Sequence, residues 1–290
     1  MKKFVTTEWL NDHLEDPNLR ILDATIFFAD PDGEFIQSGE AHYADVHLAK
    51  ATFVDQLRFS DEKALTPFTI IDHDRFIDQA EQLGLKADDT IVVYDSGAEV
   101  KADYKADMWA ARFAWQLSLE GFLKVYILEG GLGKWLAEGR PVTTEVKVYP
   151  KSQLELSRQE DLYASLEEVK AAQKDESVAL LDVLPKAQYE GEIAPFGEER
   201  KGHIPTAVNV FYGELADERT GKLLPKEVLE EKFSHLLKGK STVITYCGFG
   251  VAASWTFAIL KELGYEKVKV FDDSLMTYAV QTDLPLKFKE

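Results

Sequence analysis

Cys247 is the single cysteine of the chain, and it stands in the stretch ITYCGFGVAAS. Residue types on either side of it suit a nucleophile. VITY reads as a buried strand, and WTFAILKEL beyond the loop carries apolar residues at helical spacing. Gly248 and Gly250 permit positive φ and close backbone approach to a bound atom. N–H groups of Gly248, Phe249, Gly250, Val251 and Ala252 are therefore expected to curl around the sulfur, with the positive end of a helix aimed at it. That setting favours a thiolate, with a pKa below the free-thiol value of about 8.5. Cysteine also serves as a small buried hydrophobe. A residue that only fills a core has no need of the glycine-punctuated loop behind it.

The elements that would position this loop occur twice, in the same order. The first half reads ILDAT, AHYADVHLAKATFVD, TIVVYD, WAARFAWQL and VYILEGGLGKWLAEGRPV; the second reads LLDVL, RKGHIPTAVNV, TVITYC, SWTFAILKEL and VKVFDDSLMTYAVQTDLPL. Asp23 thus pairs with Asp182, His47 with His203, Asp95 with Cys247 and Trp135 with Tyr278. Short β-rich runs alternating with helical stretches predict, in each half, a parallel sheet covered by helices. Thr6 or Thr7 and Ser165, each followed by acidic residues, mark helix starts. The expected domains are residues 1–146 and 160–290, with a linker at 147–159 in a stretch of mixed polarity. Asp95, in VVYDSGAEVKADY, replaces the cysteine in the first half and lacks the glycine-rich loop, so that half is expected to be inactive and to supply packing and a cleft wall.

A chain of 290 residues suits two domains, each able to bury a core. The net charge of −18 argues against a nucleic-acid partner and favours solubility. An anionic substrate would meet a repulsive overall field, but screening over about 8 Å leaves local donors in control. One cysteine excludes an internal disulfide framework, a CxxC redox pair and a cysteine-rich zinc site. MKKFVTTEWLNDHLEDPN has no apolar core of a signal peptide, and no run reaches membrane-spanning length. A cytoplasmic protein with no membrane partner is expected.

Four segments together resemble the rhodanese family, specifically its tandem-domain thiosulfate and 3-mercaptopyruvate sulfurtransferases, over nearly the whole chain. They are VVYD with LEGGLGKW and GRPV, HLAKATFVD, GHIPTAVNV, and the loop CGFGVA before a helix. The resemblance implies two α/β domains, each a mainly parallel five-stranded sheet flanked by helices, with the active site between them. It implies that Cys247 attacks a small anionic sulfur donor, carries the sulfur as a persulfide and passes it to cyanide or a thiol. No metal or organic cofactor is implied.

Departures from the family pattern fall on the donor pocket. Thiosulfate-type loops carry basic residues where this chain has Gly248 and Phe249. Mercaptopyruvate-type loops read C-G-S-G-V-T, whereas Phe249 and Ala252 replace the serine and threonine here. The family's serine works with a first-domain histidine, matched here by His47, and its donor-binding arginine is matched by Gln188. Arg200 and Lys201 are candidate replacements for that charge, Arg being the better bidentate partner. A family DGSW segment appears as Asp272, Asp273, Ser274 and Leu275. His203 in GHIP reads as structural, because His47 holds the same place in the half without cysteine; His47 itself either shares that role or faces the cleft. Phe249 either packs against the other domain or forms an apolar lid that selects the donor. GGLGKW lacks the spacing of a phosphate loop. Two other functions compete with the sulfurtransferase. A phosphatase or arsenate reductase wants an arginine where this chain has Ala253, and a non-enzymatic persulfide carrier or interaction module would explain the lost serine, arginine and tryptophan.

Overall fold

A computed structural model describes residues 2–28, 36–96, 107–194, 200–217 and 221–289. Each half builds a five-stranded sheet, and both sheets are wholly parallel. The first runs Phe4–Val5, Val125–Leu128, Thr90–Tyr94, Leu19–Asp23 and Ala51–Phe53 across the sheet. The second runs Tyr163–Ala164, Val268–Phe271, Thr242–Tyr246, Val178–Asp182 and Val208–Asn209, which is the same strand order. The central strands are apolar runs buried on both faces, as helix-covered parallel strands must be. Asp23 lies opposite Tyr94, and Asp182 opposite Tyr246.

Two equivalent helices hold the halves together. Met108–Leu119 is buried along its whole length, Val251–Glu262 is buried from Val251 to Leu260, and the two pack on each other. A helix apolar on nearly every face belongs in an interior. At the same boundary the Phe4 ring meets Trp255 edge-on at 5.5 Å.

Residues 144–159 form neither helix nor strand and lie against the first half as a strap. The N–H of Leu154 donates to Glu81 Oε1 at 2.9 Å, and the Leu156 carbonyl lies 3.2 Å from His73 Nε2. Gly84 leaves the space into which Tyr149 and Pro150 pack. Of the first-half stretch expected to be a loop without the glycine pattern, residues 97–106 lie outside the described residues. Among the described residues no helix is long and apolar enough to cross a membrane.

Candidate active site

Cys247 follows the strand Thr242–Tyr246 at its carboxyl end, the edge of a parallel sheet where ligands are bound. Gly250, at φ 83°, turns the chain into the helix Val251–Glu262. Backbone N–H groups of Ala253, Phe249 and Gly250 point to the sulfur, and the Ser274 hydroxyl is its fourth polar neighbour. Of the expected nest, Phe249 and Gly250 take their places, and Ala253 stands where Gly248, Val251 and Ala252 were expected to contribute. The start of the helix Ser274–Val280 anchors the loop from the other side: Leu275 N–H donates to the Cys247 carbonyl at 3.0 Å and Met276 N–H to that of Gly248 at 3.1 Å. Ser274 Oγ accepts the N–H of Cys247 at 3.1 Å and donates to the Phe271 carbonyl at 2.9 Å. A thiolate offers that hydroxyl proton a second acceptor, reached by rotation about one bond.

The expected low thiol pKa is corrected by burial. Cys247 is only 3% exposed, and loss of water pushes its thiol up. The N–H groups and the Ser274 hydroxyl oppose this shift without overcoming it. A loop of the other domain packs on Phe249, two residues beyond the cysteine. The Phe68 ring lies 6.0 Å from that of Phe249 and 4.8 Å from that of Trp109. Phe249 therefore does pack against the first domain and is 9% exposed. Gly248 is buried in the same loop, and Val251 and Ala252 are buried at the start of the helix behind it.

Two expected site residues are elsewhere engaged. Arg200 Nη1 donates to the carbonyls of Ala279 and Gln281, both at 2.8 Å, and its Nη2 donates to that of Leu284. Its charge secures the C-terminal segment and is not offered to a donor. His47 is fully buried, with Nδ1 2.6 Å from the Tyr43 carbonyl and Nε2 3.1 Å from that of Glu145, and its ring stacks on Tyr43 at 3.8 Å. It does not face the cleft. His203 repeats the arrangement, with Nδ1 2.7 Å from the Tyr189 carbonyl and its ring 3.7 Å from Tyr189. Gln188 is half-buried on the short helix Lys186–Tyr189, and its Oε1 has no hydrogen-bond partner.

Three residues that border the loop went unassigned in the sequence reading. Ser274 stands in the DDSL segment, whose role was legible only as a departure from a family pattern. Arg112 comes from the first domain, and Phe68 from a loop that no motif marks. For Arg112 a signal existed: it is a charge inside the otherwise apolar run WAARFAWQL. Its Nη2 lies 2.5 Å from Asp272 Oδ1, and a Cβ on Gly250 would lie 3.0 Å from its Nη1.

The family model for the rhodanese-like domain matches residues 6–138 and again 165–280. The chain is 28% identical to thiosulfate/3-mercaptopyruvate sulfurtransferase 1, mitochondrial, of Arabidopsis thaliana, over 99% of this chain and 78% of that protein. It is 29% identical to the sulfur carrier protein TtuD of Thermus thermophilus, over 97% and 95% of the two chains. Among solved structures, that of SseA from Escherichia coli, described as a 3-mercaptopyruvate sulfotransferase, superimposes with a TM-score of 0.80 at 27% identity, covering 94% of this chain and 99% of that one.

Proposed function

This chain belongs to the rhodanese-like domain family and is a sulfurtransferase, and we propose that it moves a sulfane sulfur from a small anionic donor to cyanide or a thiol through a persulfide on Cys247. The observation that carries this reading is the set of N–H groups from Phe249, Gly250 and Ala253 around the sulfur. Such a nest suits a thiolate and suits the terminal sulfur of a persulfide equally. In the first half-reaction the thiolate attacks the transferable sulfur. With thiosulfate the S–S bond breaks and sulfite leaves with the electron pair. With 3-mercaptopyruvate the C–S bond breaks, and the carbon fragment leaves as an enolate that takes up the sulfhydryl proton to become pyruvate. In the second half-reaction cyanide or a thiolate attacks the outer sulfur, and the Cys247 thiolate returns. This is covalent catalysis of ping-pong form, with no outside oxidant or reductant.

Local charge favours 3-mercaptopyruvate over thiosulfate. Gln188 is neutral, Arg200 is committed to main-chain carbonyls, and the guanidinium that borders the loop, Arg112, is already paired with Asp272. A singly charged carboxylate needs less compensation there than a dianion. The test is intact mass after incubation with each donor, for the wild type and for Cys247→Ser. The expected result is a gain of one sulfur with 3-mercaptopyruvate, absent in the variant and discharged by cyanide or a thiol. No gain with either donor defeats the persulfide, and gain without discharge to any acceptor supports the carrier instead.

A further inference from the structure

We propose that Arg112 of the first domain is a positioning residue for Cys247: through Asp272 it holds the cysteine loop in its transfer geometry, and it brings a cation against Gly250, whose N–H points to the sulfur. The inference rests on the sulfurtransferase reading for the transfer step alone. The effect of charge on Cys247 stands apart from it.

A guanidinium 2% exposed in the middle of an apolar helix requires partners. Arg112 Nη2 forms an ion pair with Asp272 Oδ1 across the domain boundary and donates to the Phe68 carbonyl, each at 2.5 Å. The other Asp272 oxygen accepts the N–H of Ile70 at 3.0 Å, and Thr69 hydrogen-bonds the side chain of Asp273. Phe68 adopts φ 65°, a conformation rare for a bulky side chain, within this same clamp. A short first-domain loop and one helix thus grip the two carboxylates that precede Ser274.

Three links carry that grip to the nucleophile. Asp272 stands two residues before Ser274, whose Oγ accepts the Cys247 N–H. Leu275 and Met276 follow and hold the carbonyls of Cys247 and Gly248. A Cβ on Gly250 would lie 2.8 Å from the Asp272 carbonyl oxygen, 3.0 Å from Arg112 Nη1 and 3.1 Å from Asp272 Oδ1, so the pair packs directly against that glycine. The N–H of the same Gly250 points to the sulfur.

Arg112 Nη1 is buried with no hydrogen-bond partner among the described residues, and it lies, like Asp272 Oδ1, beside Gly250. Among the described residues, the charged and titratable groups on the elements around Cys247 are Arg112 on its helix, Asp272 and Asp273 ahead of Ser274, Tyr246 on the strand, Tyr278 on the helix Ser274–Val280, which faces Gln173 and Pro285, and Lys269 on the strand Val268–Phe271, which pairs with Glu168. Tyr246 is turned to Asp182 and Ile204. Lys261 and Glu262 lie at the far end of the helix that starts at the loop.

The test uses the full chain with Arg112→Gln, Arg112→Lys, Asp272→Asn and the double variant Arg112→Gln/Asp272→Asn. Cys247 alkylation by iodoacetamide is followed against pH, and kcat and KM are measured with 3-mercaptopyruvate and cyanide. Removing the cation should move the alkylation profile to higher pH, and removing the anion should move it to lower pH. The double variant should return toward the wild type. Each single neutral variant should lose roughly tenfold or more in kcat with little change in KM, and Arg112→Lys should recover part of that loss. Shifts of the same sign in both variants, or none while stability falls, overturn the proposal in favour of simple packing. If Arg112→Gln does not fold, the direction of the Asp272→Asn shift decides alone. A wild type that transfers no sulfur would sink the functional reading, while the alkylation profiles would still report on the charge.

Discussion

Gly131 and Ser274 hold the same left-handed backbone at matching points of the two halves, with φ 52° and 51°. Hydrogen bonds fix the match: Leu132 N–H donates to the Asp95 carbonyl at 2.9 Å, and Leu275 N–H to the Cys247 carbonyl at 3.0 Å. Where the strand ends in aspartate, glycine makes the turn without strain. Where it leads to cysteine, a serine makes the same turn at a cost of roughly 1–3 kcal/mol, and its hydroxyl accepts the Cys247 N–H. Strain at Ser274 is therefore tied to the nucleophile. Ser274→Gly should relieve the strain and orphan one buried N–H, leaving stability within about 1 kcal/mol of the wild type. Ser274→Ala keeps the strain and loses the hydrogen bond, and should fall about 1–3 kcal/mol below the glycine variant in urea unfolding. Both should load sulfur about tenfold more slowly. Equal stability of the two variants would remove the argument from strain.

Phe249 and Phe68 close the loop from opposite domains. Replacing Phe249 with serine removes the ring that meets Phe68 at 6.0 Å and should speed alkylation of Cys247 several-fold. If the ring also selects the donor, the ratio of turnover with 3-mercaptopyruvate to that with thiosulfate changes as well. An unchanged ratio leaves Phe249 as packing alone.

Burial of Cys247 makes a claim about pH. Desolvation pushes its thiol above the ordinary value against the pull of the Ala253, Phe249 and Gly250 N–H groups. Alkylation of the donor-free protein should therefore reach half its maximum rate at a higher pH than a small free thiol under the same conditions. A midpoint below that of the free thiol would mean that the loop stands open in solution and that the N–H groups prevail.

The repeat made the scaffold legible, because each half had to bury the same kinds of run in the same order. Asp23 and Asp182 both end a central strand, and each accepts an N–H from the residue two places on. Trp135 and Tyr278 also match, both donating to a proline carbonyl, at 2.9 and 3.2 Å. The nest was legible for a local reason, since Gly250 and the helix behind it lie within a few residues of the sulfur. The contact of the other domain on that loop was not, because Phe68 is far along the chain and no pattern links it to Phe249. Arg200 misled for a related reason. A lone arginine near a suggestive motif gives no sign that three carbonyls from residues 279–284 will occupy it. His47 and His203 share the tyrosine stack and the Nδ1 contact to the tyrosine carbonyl, and the further contact of His47 Nε2 with the Glu145 carbonyl depends on the strap, which the sequence does not place.

Arg200 accordingly predicts a loss of stability and not of donor binding. Arg200→Ala removes three charge-assisted hydrogen bonds to Ala279, Gln281 and Leu284 and should cost about 1–3 kcal/mol in urea unfolding. KM for 3-mercaptopyruvate should stay within a factor of two or so of the wild type. A large rise in KM at unchanged stability would return Arg200 to the donor site.

Asp182 makes the second half sensitive to pH. Its carboxyl is fully buried at the end of the strand Val178–Asp182, where it takes the N–H of Leu184 at 2.8 Å and the hydroxyl of Tyr246. Burial raises its pKa to about 7, against 3.8 for the free group, and those two hydrogen bonds pull the other way. Below the unfolded value both states are protonated and the group has no effect on stability. As pH rises from about 4 through 7, the unfolded chain ionises first, so the folded state loses ground and then levels off. Full development of that shift corresponds to about 4 kcal/mol. Asp182→Asn keeps the shape and cannot ionise. The unfolding free energy of the variant should therefore gain on the wild type by up to about 4 kcal/mol between pH 4 and pH 8, whatever its constant offset. Urea titrations at several pH values measure that difference, and a difference flat across the range would show that Asp182 is ionised in the folded protein throughout.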